Sequence, residues 1–140
     1  MTTDADRIRS SFDALAPRAD ELIEAFYERL FSENPGVRPM FPDDMSAQRK
    51  HLASAIALVV KHADNLEPIT DALEQMGARH VGYGAQPAHY PIVRDTLLAT
   101  LAQFAGDLWT QDLADAWERA INAVAGLMLT GAENAQRDAA

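Results

Sequence analysis

Apolar residues recur along this chain at steps of three and four, the spacing that gathers them on one side of an α-helix, and nowhere does a convincing period-2 alternation suggest a strand. The pattern predicts an all-α protein. A first helix from Asp4 to about Leu15 carries Ile8, Phe12 and Leu15, and Pro17 bends or ends it because proline lacks the N–H that the next turn needs. A second places Ile23, Phe26, Tyr27 and Leu30 on one face and is punctuated by Asn34-Pro35-Gly36. After a turn holding Met40, Phe41 and Pro42, Ser46 is the expected N-cap of a third helix that reaches about His62, with Gln48, Leu52, Ala55 and Val59 inward. The fourth helix has Pro68 near its first turn and an inward stripe of Ile69, Leu73, Met76 and His80. The fifth begins near Tyr90-Pro91, turns Val93, Leu97, Leu101 and Phe104 inward, and ends near Gly106. The sixth runs from about Thr110 to Thr130 with Leu113, Trp117, Ile121, Val124 and Met128 inward, and the small, polar residues 131–140 are expected to fray. No linker or internal repeat divides the chain, so residues 1–140 read as one domain.

Polar residues on these apolar faces are the candidate chemistry. His80 closes the stripe of the fourth helix just before Gly82, Gly84 and Pro87 end the helical signal, which aims an imidazole at the interior from a last turn. That is a position for a ligand to a buried metal. Tyr27 and Gln48 also point inward, where an unpartnered polar group costs roughly 1–3 kcal/mol, and two such donors converging suggest a polar ligand. Taken singly, each has an ordinary reading: a histidine satisfied at a helix end, a core tyrosine bonded to a carbonyl, a solvated glutamine. Taken together they fit haem, whose iron is commonly held by a neutral imidazole with hydrogen-bond donors on the opposite wall.

Composition narrows the classes. At 140 residues and 48% hydrophobic, the chain can bury a core and a cofactor. A net charge of −9, from 21 acidic against 12 basic residues, repels phosphate backbones and argues against nucleic acid. The absence of cysteine excludes disulfides, thiolate metal sites and covalent haem attachment, so a haem b would be held non-covalently. The first residues lack the order of a signal peptide, and the longest nearly apolar run, Leu52 to Val60, is too short for a transmembrane segment; the expected location is cytoplasmic. Monomer and homodimer are both open.

The order of landmarks goes further. Phe26-Tyr27-Glu28-Arg29-Leu30-Phe31, Asn34-Pro35, Phe41, Gln48-Arg49 with Leu52, Ala78-Arg79-His80, Gln86-Pro87-Ala88-His89-Tyr90-Pro91-Ile92-Val93, Leu97-Leu98 and Asp115-Ala116-Trp117 follow one another as in the globins. The chain resembles the globin family, specifically flavohaemoglobins and bacterial single-domain haemoglobins, over nearly its whole length. The resemblance implies a globin fold of about six to eight helices around a haem pocket. It implies His80 as the iron ligand, Phe41 as the aromatic at the haem edge, Tyr27 and Gln48 as the distal hydrogen-bonding pair, and Leu52 as the apolar residue near the iron. Val93 would line the proximal side, Tyr90 matches a proximal tyrosine, and Arg79 and His51 are candidates near the propionates. One departure concerns the glutamate that accompanies that tyrosine: the spacing from Trp117 puts it at Ala132, with Glu133 one residue on and about 100° around the helix. Without that carboxylate the histidine is less electron-donating, which favours reversible binding over O–O chemistry. The other is that flavohaemoglobins carry a reductase domain after the globin, so an external reductase would have to supply electrons here. The expectation is a protein that reversibly binds O2, with NO and CO as other ligands. The alternatives are a nitric oxide dioxygenase, in which Tyr27 and Gln48 would be the catalytic pair, and a gas-sensing module.

Overall fold

The helical period carries through to the structure, a computed structural model that describes residues 2–139; Met1 and Ala140, the ends of the 1–140 domain, lie outside the described residues. Six α-helices and no strand are found among them. In α1 (Asp4–Leu15) a capping box closes the N-terminus, Thr3 Oγ1 accepting from Asp6 N and Asp6 Oδ2 from Thr3 N, each at 3.1 Å. Pro17 tightens the chain into a 3₁₀ turn over Ala16–Arg18 before α2 (Ala19–Glu33), and a second 3₁₀ stretch covers Pro35–Met40. Then come α3 (Ser46–Lys61), α4 (Thr70–Gly82), α5 (His89–Ala105) and α6 (Gln111–Ala139).

Three boundaries or faces differ from the expectation. Ser46 is the first helical residue of α3 rather than its cap; the Asp44 carboxylate does that work, Oδ1 accepting from Ser46 N at 2.9 Å. Hydrogen bonding from the Ser46 backbone, and next from its side chain, holds the Asp44 carboxyl below the usual carboxylate range. Second, α6 does not stop near Thr130 but continues through residues 131–139. Gly131, which reads as a stop signal, is instead where α6 touches the main chain of α4: a Cβ there would overlap the Glu74 carbonyl. Gly77 of α4 makes the reciprocal approach, with a Cβ overlapping the Met128 carbonyl. Third, Val93 is 38% exposed, because the packed face of α5 passes through Ile92 and Thr96 rather than Val93 at this end of the helix.

Burial centres on Ile8, Phe26, Leu30, Leu101 and Trp117. The indole N–H of Trp117 donates to Ser11 Oγ at 3.0 Å, and Ser11 donates on to Ile8 O at 2.9 Å, which fastens α6 to α1 without an orphaned polar atom. Arg9 of α1 donates to the carbonyls of Val60 and Lys61 at 3.3 and 2.8 Å, satisfying the C-terminus of α3. A partly open apolar pocket of about 80 Å³ is walled by Phe12, Ile23, Ala53, Ile56, Leu101 and Trp117 among others. The layout positions the site: α3 packs on α1 and α2, α4 packs on α6, and no extended contact joins α3 to α4.

Candidate functional site

Tyr27 is buried on α2, 6% exposed, among aromatic rings. Its ring centroid lies 5.0 Å from that of Phe26, 5.8 Å from Phe31 and 5.8 Å from Phe41, and Phe31 and Phe41 are edge to face at 5.2 Å. The hydroxyl end is polar and partnered: Gln48 Nε2 donates to Tyr27 Oη at 3.1 Å. A phenolic oxygen that accepts from an amide keeps its own proton for another acceptor, and none is found for it among the described residues. Burial pushes the Tyr27 hydroxyl above its ordinary pKa, an effect the Gln48 hydrogen bond works against, so at neutral pH the group is a donor. Leu52 follows Gln48 by one turn and packs against the same core. The expected stripe of Gln48, Leu52, Ala55 and Val59 is half-buried throughout; Leu52, Ala53 and Ile56 pack against the core and Val60 is buried in it. The apolar side of α3 is therefore only partly covered over most of its length.

His80 is half-buried in the last turn of α4. Its Nδ1 lies 2.6 Å from Met76 O, and since a carbonyl only accepts, Nδ1 carries the proton and Nε2 of the neutral ring holds the lone pair. The hydrogen bond runs back one helical turn and so sets the ring orientation from within α4. Tyr83, one turn on, lies edge to face with the imidazole at 5.3 Å and is 58% exposed. Tyr90 is half-buried at the start of α5, where burial raises its hydroxyl pKa, and it makes no side-chain hydrogen bond among the described residues. Ala132 is half-buried and Glu133 exposed. Among the described residues no carboxylate hydrogen-bonds to the His80 ring; its partner is a main-chain carbonyl.

Tyr27, Gln48 and Phe41 are thus brought into one cluster, and His80 stands apart from it on α4, with a free ring nitrogen and no hydrogen bond to the other three. Arg79 and His51 are exposed. His62 donates through Nδ1 to Leu58 O at 3.1 Å, and His89 accepts from Gln86 N at 3.0 Å, which closes the start of α5. Among the described residues no three His, Asp or Glu gather to hold a metal ion. Sequence reasoning passed over Phe31 and Tyr83, although both lie at helical spacing from a named site residue and could have been found that way.

Comparison with known proteins decides the family. The globin family model matches residues 24–128, a stretch that includes Tyr27, Phe41, Gln48, Leu52, His80, Tyr90 and Val93. The chain belongs to the globin family. This globin is 37% identical to a flavohemoprotein of Vibrio cholerae over 116 residues, covering 81% of the chain and 29% of that protein. It is 35% identical to a flavohemoprotein of Xylella fastidiosa over 124 residues, 86% of the chain and 31% of that protein. It thus spans less than a third of the length of these curated relatives. A bacterial globin from Campylobacter jejuni has the same fold, with a TM-score of 0.83, 27% identity and coverage of 94% and 95% of the two chains. An engineered carbene transferase built on a provisionally assigned nitric oxide dioxygenase of Rhodothermus marinus superimposes at 0.85, with 26% identity over 96% and 94%. No helix among the described residues is long and apolar enough to cross a membrane.

Proposed function

We propose that this globin is a haem b protein that binds dioxygen reversibly, with nitric oxide and carbon monoxide as competing ligands. The haem would be held non-covalently, with His80 Nε2 as its protein ligand, Phe41 at its edge, Leu52 and Val93 against its two faces, and Tyr90 on the proximal side. Arg79 and His51, both exposed, would be the candidates to meet its propionates. The observation that carries the reading is how two hydrogen bonds dispose of protons. On α4, Met76 O takes the Nδ1 proton of His80 and leaves the Nε2 lone pair available. On α2 and α3, the Gln48 amide occupies the Tyr27 oxygen and leaves the phenolic proton to donate. The donor set fits haem, and the partly covered face of Gln48, Leu52, Ala55 and Val59 is the apolar surface such a group would cover.

When bound, ferrous haem supplies reversible coordination of a diatomic gas. The chain's own part is to orient the imidazole from within α4 and to hold a donated proton where negative charge gathers on the ligand. Tyr27 does the second because burial keeps it protonated, and Gln48 both fixes the phenol and stands as a second donor.

Nitric oxide dioxygenation with a separate reductase is the second reading, supported by the flavohemoprotein relatives. Joining NO and O2 as nitrate consumes one electron per nitrate formed, which that reductase would have to supply. Against it stands the carbonyl partner of His80, a weaker support for electron donation than a carboxylate.

The test is the visible spectrum of the purified protein as ferric, dithionite-reduced and reduced with carbon monoxide, with haem stoichiometry and oxygenation reversed by argon. One haem per chain, a histidine-ligated reduced form and repeatable oxygenation are expected. His80→Ala should lose the five-coordinate ferrous spectrum and regain it with added imidazole. A chain that takes up no haemin, or an unchanged His80→Ala spectrum, would sink the assignment; sustained nitrate formation with an added reductase would favour the enzyme.

A further inference from the structure

Three consecutive main-chain carbonyls converge on one side chain. Arg38 Nη1 donates to Phe41 O at 3.2 Å and to Pro42 O at 3.0 Å, and Nη2 donates to Asp43 O at 3.4 Å. Residues 41–45 form no repeating structure, so these carbonyls have no ladder or helix to satisfy them. Pro42 cannot donate a hydrogen bond, and with Pro39 it fixes φ on both sides of Phe41. The same guanidinium lies 4.9 Å from the centroid of the Phe31 ring. Phe31 in turn packs on both Phe41 and Tyr27. One half-buried arginine thus grips the main chain that carries Phe41 and lies over the Phe31 ring, which packs on both Phe41 and Tyr27.

We propose that Arg38 is the positioning residue of the distal pocket: it holds Phe41, and through Phe31 the Tyr27 ring, in the arrangement that receives the cofactor. The inference rests on the haem reading. It needs a planar fork of several N–H groups, which arginine has; a lysine ammonium keeps the charge over Phe31 but cannot match three carbonyls in the same way. Arg18 provides a control, since it lies over the Phe104 ring at 4.7 Å with an exposed Glu21 as partner. Removing it changes charge and arginine–aromatic contact equally, away from Phe41.

The experiment uses the haem-loaded protein. Transfer of ferric haem to an excess of a scavenging apoglobin is timed for wild type, Arg38→Ala, Arg38→Lys and Arg18→Ala, and ring-to-ring nuclear Overhauser contacts between Phe41 and Tyr27 are recorded in the carbon monoxide form. Arg38→Ala should lose haem about tenfold faster, the size of one charge-assisted hydrogen bond, and weaken the Phe41–Tyr27 contact. Arg38→Lys should fall between it and wild type, and supplies the reading if the alanine variant does not fold. Arg18→Ala should match wild type. Wild-type haem retention and an unchanged ring contact in Arg38→Ala or Arg38→Lys would overturn the role of Arg38 alone. A wild-type chain that takes up no haem would overturn the haem reading and this inference with it.

Discussion

Replacing Tyr27 by phenylalanine removes one oxygen and leaves the ring packed against Phe26, Phe31 and Phe41. If the free phenolic proton is what retains dioxygen, the variant loses one hydrogen bond to a partly negative acceptor, about 1.5–3 kcal/mol. At about 1.4 kcal/mol per factor of ten, dissociation should quicken by about 10- to 150-fold. Gln48 decides where in that range the result falls. Released from Tyr27, which it meets at 3.1 Å, its amide can turn toward the ligand and recover part of the loss, so the lower end, about 10- to 30-fold, is expected. Carbon monoxide gathers little charge on its outer atom, and its dissociation should change by less than about threefold. The assay is stopped-flow displacement of dioxygen by carbon monoxide, followed by displacement of carbon monoxide by nitric oxide. Dioxygen dissociation within about twofold of wild type would refute proton donation by Tyr27, and equal acceleration of both gases would show that pocket shape, not the proton, had changed.

The remaining outcomes follow from the same geometry. Because burial raises the Tyr27 pKa above 10.0, the folded chain holds this proton more tightly than the unfolded one; dioxygen dissociation and this group's contribution to stability should be flat up to about pH 10 and worsen as pH climbs through the folded value, and a step below pH 9 would contradict it. Gly77→Ala should destabilise the protein by about 3 kcal/mol or more, since the obstacle is the Met128 main chain and cannot rotate away; a urea midpoint equal to wild type would count against the close approach of α4 and α6. Ser11→Ala should cost about 1–3 kcal/mol by leaving the indole N–H of Trp117 buried without its acceptor, read from thermal unfolding.

Much of this architecture was legible because its signals are periodic. Tyr27 and Gln48 were recognisable as polar interruptions of apolar stripes, and their pairing across α2 and α3 follows once both face inward. His80 was legible for the same reason, whereas the acceptor of its Nδ1 proton is a main-chain atom, which no side-chain pattern reports. Gly131 misled because glycine has two uses: a helix stop, or a place where another main chain comes close, and only the partner Glu74 tells which. Asp43, Asp44 and Ser46 all suit a helix start, so the choice of Asp44 was a matter of three-dimensional reach. Val93 belongs to the stripe whose Leu97 and Leu101 are buried, yet at the start of α5 nothing among the described residues covers it and it is 38% exposed, which no periodicity reports. Arg38 had no period at all, since it lies in a proline-rich 3₁₀ stretch where its three carbonyl partners are adjacent in sequence but unremarked by composition.

The apolar pocket between α1, α2, α3, α5 and α6 has a consequence under hydrostatic pressure. An apolar space of about 80 Å³ forgoes about 2 kcal/mol of packing at ~24 cal/mol per Å³, and water occupies that volume once the chain unfolds. Unfolding therefore shrinks the system, and compression pushes the equilibrium toward the unfolded side. A bulkier side chain at Ala53, on the wall of this space, would work in the opposite sense, making the fold both stiffer and less sensitive to compression.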